Sequence, residues 1–338
     1  MTIKDIAKLA GVGVSTVSRA INDDPGIALA TKKKVLKIVK EYNYIPNNSA
    51  RNLKMTESNT IALLVRGIDN YFFLEMFGYI QRELESRGYD YLLHAVGEDE
   101  DISSIAMELS MEKRLKGLII LGGRMGSKIS GLSDLPIPYV LCTVAAKIGQ
   151  DHPDAATVGI DDEKESAEAV GYLIRSGHKR IAIVAGHEDD PAVGAQRLAG
   201  YKRALTENGL EIDESLIGLS KNNIPEFSAE NGYQVAKELI QRADFTAIYC
   251  ISDLMAMGCY KAIAEAGKKI PDDISVIGFD GIDLGRFLHP SLTTMVQPRE
   301  EMAVSAVELL NELIEENGIK RHITYEAKLL TRDSVRRV

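Results

Sequence analysis

The chain opens with apolar residues at helical spacing, followed by a short break and a second helical pattern. The first set recurs every three or four positions, at Ile3, Ile6, Ala7, Leu9 and Ala10. Gly11 to Gly13 interrupts this pattern, and a second short helix is predicted from Val14. Two helices joined by a short turn that contains glycine form a helix-turn-helix. The predicted buried seam consists of Ile6, Ala7, Ala10, Val12, Val17, Ala20 and Ile21.

The polar face of the second helix is a candidate for reading DNA. It comprises Ser15, Thr16, Ser18 and Arg19. Small residues allow close approach to base edges in the major groove, and arginine pairs with guanine through two hydrogen bonds. An ordinary pair of amphipathic helices at the start of a globular domain has the same pattern, so both interpretations remain open on pattern alone. A dinucleotide site is excluded, because the glycines follow a helix and a third glycine is missing.

A third helix is predicted after the helix-turn-helix, with Thr31 as its N-cap. Its apolar residues are expected to point inward; they are Val35, Leu36, Ile38 and Val39. Its lysines are expected to point mostly outward; they are Lys32, Lys33, Lys34, Lys37 and Lys40. A short, weakly helical stretch at 48–55 follows this helix.

From Thr60 onward, continuous apolar strands alternate with helices. Such strands predict parallel sheets that helices cover on both faces. The pattern forms two series, and the second series is predicted to begin with the strand that starts at Ala156. Two series of about 100 to 130 residues imply two doubly wound lobes. The predicted fold class is therefore α/β, with two parallel-sheet lobes behind a small all-α head.

The charge is divided unevenly along the chain. Residues 1–58 contain 10 Lys+Arg against 5 Asp+Glu, a net charge of +5, whereas the remainder contains 30 against 44, a net charge of −14. A basic head on an acidic body is expected when only the head meets phosphates. A solvated charge run would explain the individual lysines but not this segregation.

Several classes of protein are disfavoured by what the sequence lacks. Met1 leads directly into an amphipathic helix, and no apolar run approaches the length of a membrane span, so we expect neither secretion nor membrane insertion. Cys142, Cys250 and Cys259 are an odd number without close pairs, which favours reduced, buried thiols and a cytoplasmic location. The six histidines show no metal-ligand spacing, and we expect no metal or cofactor.

Four motifs together resemble the LacI/GalR family of transcriptional regulators, and the likeness spans essentially the whole chain. They are DIA-x-x-AGV, STVSRAIN, YxPN and A-R-x-L-K. The resemblance implies a DNA-binding head fused to a body like a periplasmic sugar-binding protein. It implies base-reading positions at Val14, Ser15 and Arg19, and positions near backbone phosphates at Asn22 and Thr31. One departure is Gly13, where the family usually has Ser, which weakens the N-cap of the second helix.

The resemblance also implies a hinge helix that packs against its mate from a second chain in the minor groove. Its members are Ala50, Arg51, Leu53 and Lys54. Leu53 is expected to act as a wedge, because an apolar side chain pushed into a base step unstacks it and bends the duplex.

Ligands of open α/β sheets bind at the carboxyl ends of the strands, which here means the cleft between the lobes. That criterion selects Arg66, Asp69, Asn70, Thr143, residues 187–190, Ser252, Asp253 and Asp280. The family resemblance adds Arg197 as a ligand to effector oxygens, Phe227 as an aromatic platform, and a hydroxyl-accepting role for Asp280. Phe73 could stack on a sugar, although a Phe72–Phe73 pair that opens a helix is also typical of core. Asp280 could instead cap a turn, Asp253 could N-cap a helix that starts at Leu254, and residues 187–190 could form a solvated loop.

The residues after the first strand depart from the family pattern. Many relatives carry an Asp where this chain has Gly67, and Arg66 adds a cation at the cleft mouth. We expect Arg66 either to pair with Asp69 or to receive an anionic or strongly hydroxylated ligand.

The predicted function is a cytoplasmic, homodimeric repressor that binds a near-palindromic double-stranded DNA operator and responds to a small polar metabolite, best matched by a sugar. Control by a protein co-regulator, or by a nucleoside or purine, remains an alternative. An enzyme is disfavoured because no Gly-rich phosphate loop, nucleophile elbow or metal cluster is found. A dimer is favoured over a tetramer because no C-terminal heptad segment is present.

The predicted domains are a head at 1–46, a hinge and linker at 47–59, a first lobe at 60–158 with 292–320, and a second lobe at 159–291 with 321–338.

Overall fold

The structure is a computed structural model that describes residues 3–21, 26–42, 58–97, 100–122, 127–143, 155–187, 193–315 and 320–338. The chain divides into two compact units, Met1–Ser58 and Asn59–Val338. Asn22, and the hinge residues Ala50, Arg51, Leu53 and Lys54, lie outside the described residues. In the described part of the chain, no helix is long and apolar enough to cross a membrane.

The first unit contains the three predicted helices, α1 (Ile3–Ala10), α2 (Val14–Ile21) and α3 (Leu29–Glu41). Its core is formed by Ile6, Ala7, Ala10, Val17, Ala20 and Val35, with Val12 and Ile21 packed against it, so the predicted seam is confirmed.

Two predictions for α3 are wrong. Leu36 is 39% exposed instead of inward, because Val35, Ile38 and Val39 already fill the face towards the core and residue 36 points about 100° away from residue 35. Thr31 is not the N-cap, since the helix begins at Leu29 and the carbonyl of Ala28 already accepts a hydrogen bond from the Lys32 N–H at 3.0 Å.

The second unit is built on two sheets. The first sheet is wholly parallel, in the order β11 (His322–Tyr325), β5 (Ala156–Ile160), β4 (Tyr139–Cys142), β3 (Gly117–Leu121), β1 (Thr60–Arg66) and β2 (Asp90–Val96). The second sheet has the order β12 (Lys328–Leu330), β10 (Thr293–Val296), β9 (Ser275–Asp280), β8 (Ala247–Cys250), β6 (Ile181–Val184) and β7 (Ile217–Gly218), of which only β12 is antiparallel to its neighbour.

Helices follow the strands as the alternating pattern predicts. They are α4 (Tyr71–Ser86), α5 (Ile102–Lys113), α6 (Asp162–Arg175), α7 (Val193–Glu207), α8 (Ala229–Arg242), α9 (Asp253–Glu265) and α10 (Arg299–Glu315). The strands β3, β4, β5, β6, β8 and β9 are buried along their whole length, as expected of parallel strands covered on both faces. The α/β fold class with two lobes is confirmed.

The chain crosses between the lobes three times, and the predicted lobe bounds differ from the structure at each crossing. The strand β5 belongs to the first sheet and does not begin the second series. The strand β10 was placed in the first lobe, but it pairs with β9 in the second. Residues 321–338 were assigned to the second lobe, but they supply one strand to each sheet, β11 to the first and β12 to the second. Every strand in question is short and apolar or mixed, so its sequence does not identify the sheet that it joins.

The cysteines are free and buried, in agreement with the prediction of reduced thiols. Burial raises the pKa of the Cys142 thiol to about 12. Cys250 and Cys259 are nine residues apart in the sequence, but the fold brings their Sγ atoms to 3.3 Å. The first ends a strand and the second lies on the next helix, so their proximity depends on how that helix packs on the sheet.

Candidate functional site

A cavity of about 580 Å³ lies between the two lobes of the second unit. Its walls come from the segments that follow the strands: residues 66–70 after β1, Gly122 after β3, Thr143 after β4, His187 after β6, and Asp280 at the end of β9. The carboxyl ends of parallel strands meet at one edge of each sheet, and the two edges face one another here. Among the described residues, no group of three or more His, Cys, Asp or Glu side chains is arranged to hold a metal ion.

Arg197 on α7 is the centre of a buried polar cluster in this cavity. Its Nε donates to Oδ1 of Asp162 at 2.8 Å, and its Nη1 donates to Oδ1 of Asp280 at 3.3 Å and to the carbonyl of Ile251 at 2.5 Å. The guanidinium also lies over the ring of Phe279, 3.8 Å from the centroid. No described residue accepts a hydrogen bond from Nη2 of Arg197. One edge of the guanidinium is therefore left for a ligand.

The charges of this cluster depend on one another. Burial lowers the pKa of Arg197, but the carboxylates of Asp162 and Asp280 outweigh burial and raise that pKa above its ordinary value. Burial raises the pKa of Asp280 to about 6, although the charge of Arg197 and the hydrogen bond from Gln297 oppose the rise. The arginine therefore stays charged, and the carboxyl of Asp280 keeps its proton to a higher pH than an ordinary aspartate.

Gln297 is a member of this cluster that the sequence did not reveal. It is 4% exposed, and its Nε2 donates to Oδ1 of Asp280 at 2.8 Å. It directly follows β10, which the sequence assigned to the wrong lobe, so no strand-end argument could place it beside Asp280. Asp162 and Glu226 also line the cavity and were likewise not selected. Asp162 is the first residue of α6 and lies two residues after the end of β5, so the strand-end criterion could have selected it.

Phe73 and Phe227 both line the cavity, and their contact with a ligand remains a prediction. Asn70 caps α4 by accepting a hydrogen bond from the Phe72 N–H at 3.0 Å, and this cap places Phe72 and Phe73 at the cavity. Phe72 is 3% exposed and also belongs to the core, whereas Phe73 is half-buried. Gly122 leaves room for the Phe73 ring, because a Cβ there would lie 2.7 Å from Cζ.

Arg66 and Asp69 both line the cavity, but they do not form the predicted ion pair. Nη2 of Arg66 donates to the carbonyl of Glu100 at 2.5 Å. Asp69 is exposed and makes no ion pair with any described residue. The other half of the prediction, that Arg66 contacts a ligand, remains a prediction.

Ser252 and Asp253 were selected as ligand contacts, but they do not line the cavity. Ser252 is the N-cap of α9, accepting from the Met255 N–H at 3.3 Å, so the helix begins at Asp253 and not at Leu254. Asp253 accepts from the Thr294 hydroxyl at 2.6 Å and from the Ile282 N–H at 2.8 Å. Burial raises its pKa to about 8. Its fully buried carboxyl joins β10 to the turn after β9, which is a structural role.

His187 lines the cavity, where a solvated loop was the alternative prediction. Its backbone N–H donates to Oε1 of Glu226 at 2.6 Å, and a Cβ on Gly186 would lie 2.4 Å from the same oxygen. The absence of a side chain at residue 186 therefore lets the buried carboxylate of Glu226 approach the backbone. Residues 188–190 of the predicted set lie outside the described residues.

In the first unit, α2 presents the predicted polar face. Val14 is 41% exposed, Ser15 and Arg19 are exposed, and Thr16 is half-buried. The carbonyl of Gly13 accepts hydrogen bonds from the N–H groups of residues 16 and 17, but glycine supplies no side-chain cap. Ser15 and Arg19 are therefore exposed to solvent on the surface of α2.

Two family models match the chain. Residues 2–47 match "Bacterial regulatory proteins, lacI family", and residues 170–335 match a periplasmic binding protein-like domain. The regulator MalR of Clostridium butyricum is 41% identical over 338 residues, which is 99% of both chains. The chain belongs to the LacI family. It is a LacI-family transcriptional repressor with an effector-binding domain, and the resemblance found in the sequence is confirmed.

Other members of the LacI family share the whole architecture. The HTH-type transcriptional repressor PurR of Vibrio atlanticus is 34% identical over 95% of this chain and 94% of its own. The solved complex of the regulator CelR with cellobiose has a TM-score of 0.73 at 28% identity, covering 99% of each chain. The lac repressor dimer bound to operator has a TM-score of 0.75 at 23% identity and shares the fold.

Proposed function

We propose that this LacI-family repressor responds to a sugar bound in the cleft between its lobes. The observation that carries the proposal is the arrangement of Arg197, Asp280 and Gln297 beside the rings of Phe73 and Phe227. Charged and amide groups hydrogen-bond hydroxyls, and aromatic faces cover the apolar C–H faces of a pyranose ring. The cavity of about 580 Å³ lies within the range of small-molecule sites.

The relatives support a sugar as the ligand class. The CelR regulator is seen with cellobiose, and its whole chain aligns with this one. In this chain, Phe73 and Phe227 both line the cleft cavity, and two aromatic side chains suit a ligand with more than one ring. A phosphate group on the sugar is disfavoured, because the carboxylates of Asp162, Asp280 and Glu226 in the cavity wall would repel its negative charge.

For DNA binding, we propose that α2 reads the operator in the major groove. Val14, Ser15, Thr16 and Arg19 are the base-reading candidates, and Asn22 and Thr31 are candidate phosphate contacts. Ala50, Arg51, Leu53 and Lys54 would form the hinge helix, with Leu53 as the minor-groove wedge. Two chains would bind the two halves of a near-palindromic operator as a homodimer in the cytoplasm.

The proposed control is a shift between two lobe arrangements. A ligand that contacts both lobes favours the arrangement in which both sets of contacts are made. It can shift the equilibrium between the two arrangements only by as much as its binding free energies to them differ. Arg197 and Asp280 belong to the second lobe, whereas Phe73 belongs to the first, so a ligand between them would favour a closed cleft.

A purine is the second candidate, because PurR homologues are 32–34% identical over nearly the whole chain. A purine ring would stack between the two phenylalanines, with Arg197 donating to a ring oxygen or nitrogen. Recognition of a purine needs fewer carboxylates than recognition of a sugar. The wall of this cavity has three carboxylates besides Asp69, which favours the sugar.

A thermal-shift screen of the full chain separates the candidates. Disaccharides including cellobiose, monosaccharides, nucleosides and purines would each be added in excess, since a ligand at 100 times its Kd adds about 2.7 kcal/mol of stability. A saccharide response that Arg197→Lys abolishes, and that Arg203→Lys on the same helix retains, supports the proposal. A response to purines alone would replace the sugar by the second candidate.

A further inference from the structure

A second, smaller cavity of about 220 Å³ lies at the junction of the lobes, outside the ligand cleft. It is lined by four residues of α4 (Glu75, Gly78, Tyr79 and Arg82), by Asp283 in the short 3-10 helix after β9, and by Arg299 at the start of α10. The helix α4 belongs to the first lobe and residue 283 to the second. The side chain of Glu75 lies between them.

Glu75 contacts both sides of this junction. Its Oε1 accepts a hydrogen bond from the Asp283 N–H at 3.1 Å, and its Oε2 lies 3.2 Å from Nη2 of Arg299. The side chains of Glu75 and Arg299 are only 24% and 14% exposed. Arg299 begins α10, which packs on α4 and on the strands β3, β4 and β5, so this ion pair lies within the first lobe. It holds Glu75 in position for the hydrogen bond from the Asp283 N–H, which is the contact of Glu75 that crosses to the second lobe.

Arg299 extends this contact to the turn that carries Asp280. Its Nη1 donates to the carbonyl of Asp280 at 3.1 Å and to the carbonyl of Gly281 at 2.7 Å. Asp280 and Gly281 have φ angles of 107° and 73°, so two successive residues adopt the left-handed region. A non-glycine residue in that region is strained and needs support from its surroundings. Arg299 binds the carbonyl of Asp280, while Arg197 and Gln297 bind its carboxyl.

We propose that Glu75, Arg299 and the backbone of residues 280–283 form an inter-lobe clasp that fixes the angle between the lobes. Asp280 connects the clasp to the ligand cleft, because a displacement of this turn moves its carboxyl in the cleft and its carbonyl in the clasp together. The clasp itself is independent of the ligand. Its coupling to ligand binding rests on the proposed function.

The decisive experiment measures the lobe angle without any ligand. Spin labels at Glu112→Cys on the first lobe and Lys268→Cys on the second would report the inter-lobe distance by pulsed electron spin resonance, with labelled chain diluted into unlabelled chain. Glu75→Gln keeps an acceptor for the Asp283 N–H but removes the charge that faces Arg299. We expect a broader distance distribution for Glu75→Gln than for wild type, and a still broader one for Glu75→Ala.

The matched control is Glu83→Gln on the same helix. Glu83 pairs with Arg87 at 2.7 Å, and their side chains are 23% and 30% exposed, but no hydrogen bond or ion pair of these two side chains reaches the second lobe. Its distance distribution should equal that of wild type. A wild-type distribution for Glu75→Ala, in a variant whose circular dichroism shows it to be folded, would overturn the clasp. Arg299→Lys provides a second variant, since lysine keeps the charge but lacks the fork that reaches Glu75 and two carbonyls.

A separate measurement tests the coupling to the cleft. With cellobiose, or the disaccharide that responds in the thermal screen, Glu75→Gln should change the Kd by about fivefold or more, and Glu83→Gln should not. An altered distance distribution with an unchanged Kd would overturn the coupling and leave the clasp intact. A screen without any response would count against the proposed sugar, while the ligand-free distances would still decide the clasp.

Discussion

Two buried aspartates of the second lobe, Asp280 and Asp253, show how similar residues acquire different roles. Each lies close to the carboxyl end of a strand, each is almost completely buried, and each has a raised pKa. Asp280 faces a guanidinium, an amide and the cleft, whereas Asp253 accepts hydrogen bonds from a hydroxyl and backbone N–H groups.

The difference between their pKa values follows from the partners. Asp280 has the positive charge of Arg197 next to it, and burial raises its pKa only to about 6. Asp253 has neutral donors, and burial together with the charge of Asp280 raises its pKa to about 8. Burial therefore does not distinguish a ligand-facing carboxyl from a structural one; the charge and position of its partners do.

The largest expected effect comes from removing the cation. Arg197→Ala leaves Asp162 and Asp280 buried without a positive partner, and we expect it to lower the free energy of unfolding by about 3–5 kcal/mol at neutral pH. Chemical denaturation measures this loss. Arg203→Ala, on the same helix but in a more exposed pair with Glu163, should cost less than about 1 kcal/mol. Equal losses of unfolding free energy for the two variants would show that the buried cluster stabilises the fold no more than the exposed ion pair does.

The next prediction separates the two aspartates by ligand binding. Asp280→Asn removes a charged acceptor from the cleft and should weaken the saccharide found in the thermal screen by about 1.5–3 kcal/mol, which is roughly 10- to 150-fold in Kd. Asp253→Asn should leave that Kd within about threefold, because residue 253 does not line the cavity. Titration calorimetry measures both. Similar weakening in the two variants would contradict the distinction between them.

A third prediction concerns pH. The folded state holds a proton on Asp253 up to its pKa of about 8, whereas the unfolded chain releases that proton near pH 4. The raised pKa of Asp253 therefore stabilises the folded protein fully below the pKa of the unfolded chain. This stabilisation is lost as the pH rises through the pKa of the folded state. Between about pH 5 and 7, wild type should lose up to about 1.4 kcal/mol per pH unit relative to Asp253→Asn. Parallel curves of unfolding free energy against pH for the two proteins would refute the assignment.

The smallest expected effect comes from a neutral partner of Asp253. Thr294→Val removes the hydroxyl that donates to Oδ1, and we expect a loss of about 1–2 kcal/mol in the free energy of unfolding. The loss should grow with pH, since the charged form of Asp253 depends more on its donors than the protonated form. Thr206→Val, whose hydroxyl donates to the Lys202 carbonyl on an exposed helix face, is the control. A loss that is constant across the pH range would indicate a packing effect only.

The first unit and the lobe architecture could be predicted because periodicity expresses them directly. Helical spacing selected Ile6, Ala10 and Val17, all of which are fully buried. The error at Leu36 has the same origin, since two adjacent apolar residues were assigned to one face. Continuous apolar strands predicted parallel sheets, but a strand such as β10 does not specify which of two similar sheets it joins.

The candidate site was predicted in part for a related reason. The strand-end criterion found Arg66 and Asp280, and the family resemblance added Arg197 and Phe227, all of which line the cavity. Ser252 satisfied the same criterion yet points into a helix cap. Gln297 failed it because its place depends on a crossing between lobes that no local pattern encodes. Position along a strand is a local property, whereas the orientation of a side chain after the strand ends depends on packing.

The three crossings between the lobes also have a consequence for synthesis of the chain. Residues 322–330 supply the edge strands β11 and β12, one to each sheet. During translation the head is complete early, whereas β5 and β10 lack their outer neighbours until residues 322–330 have been synthesised. Unpaired strand edges invite association with other chains. The nascent protein therefore has a finished DNA-binding helix pair before either lobe of its control unit is closed.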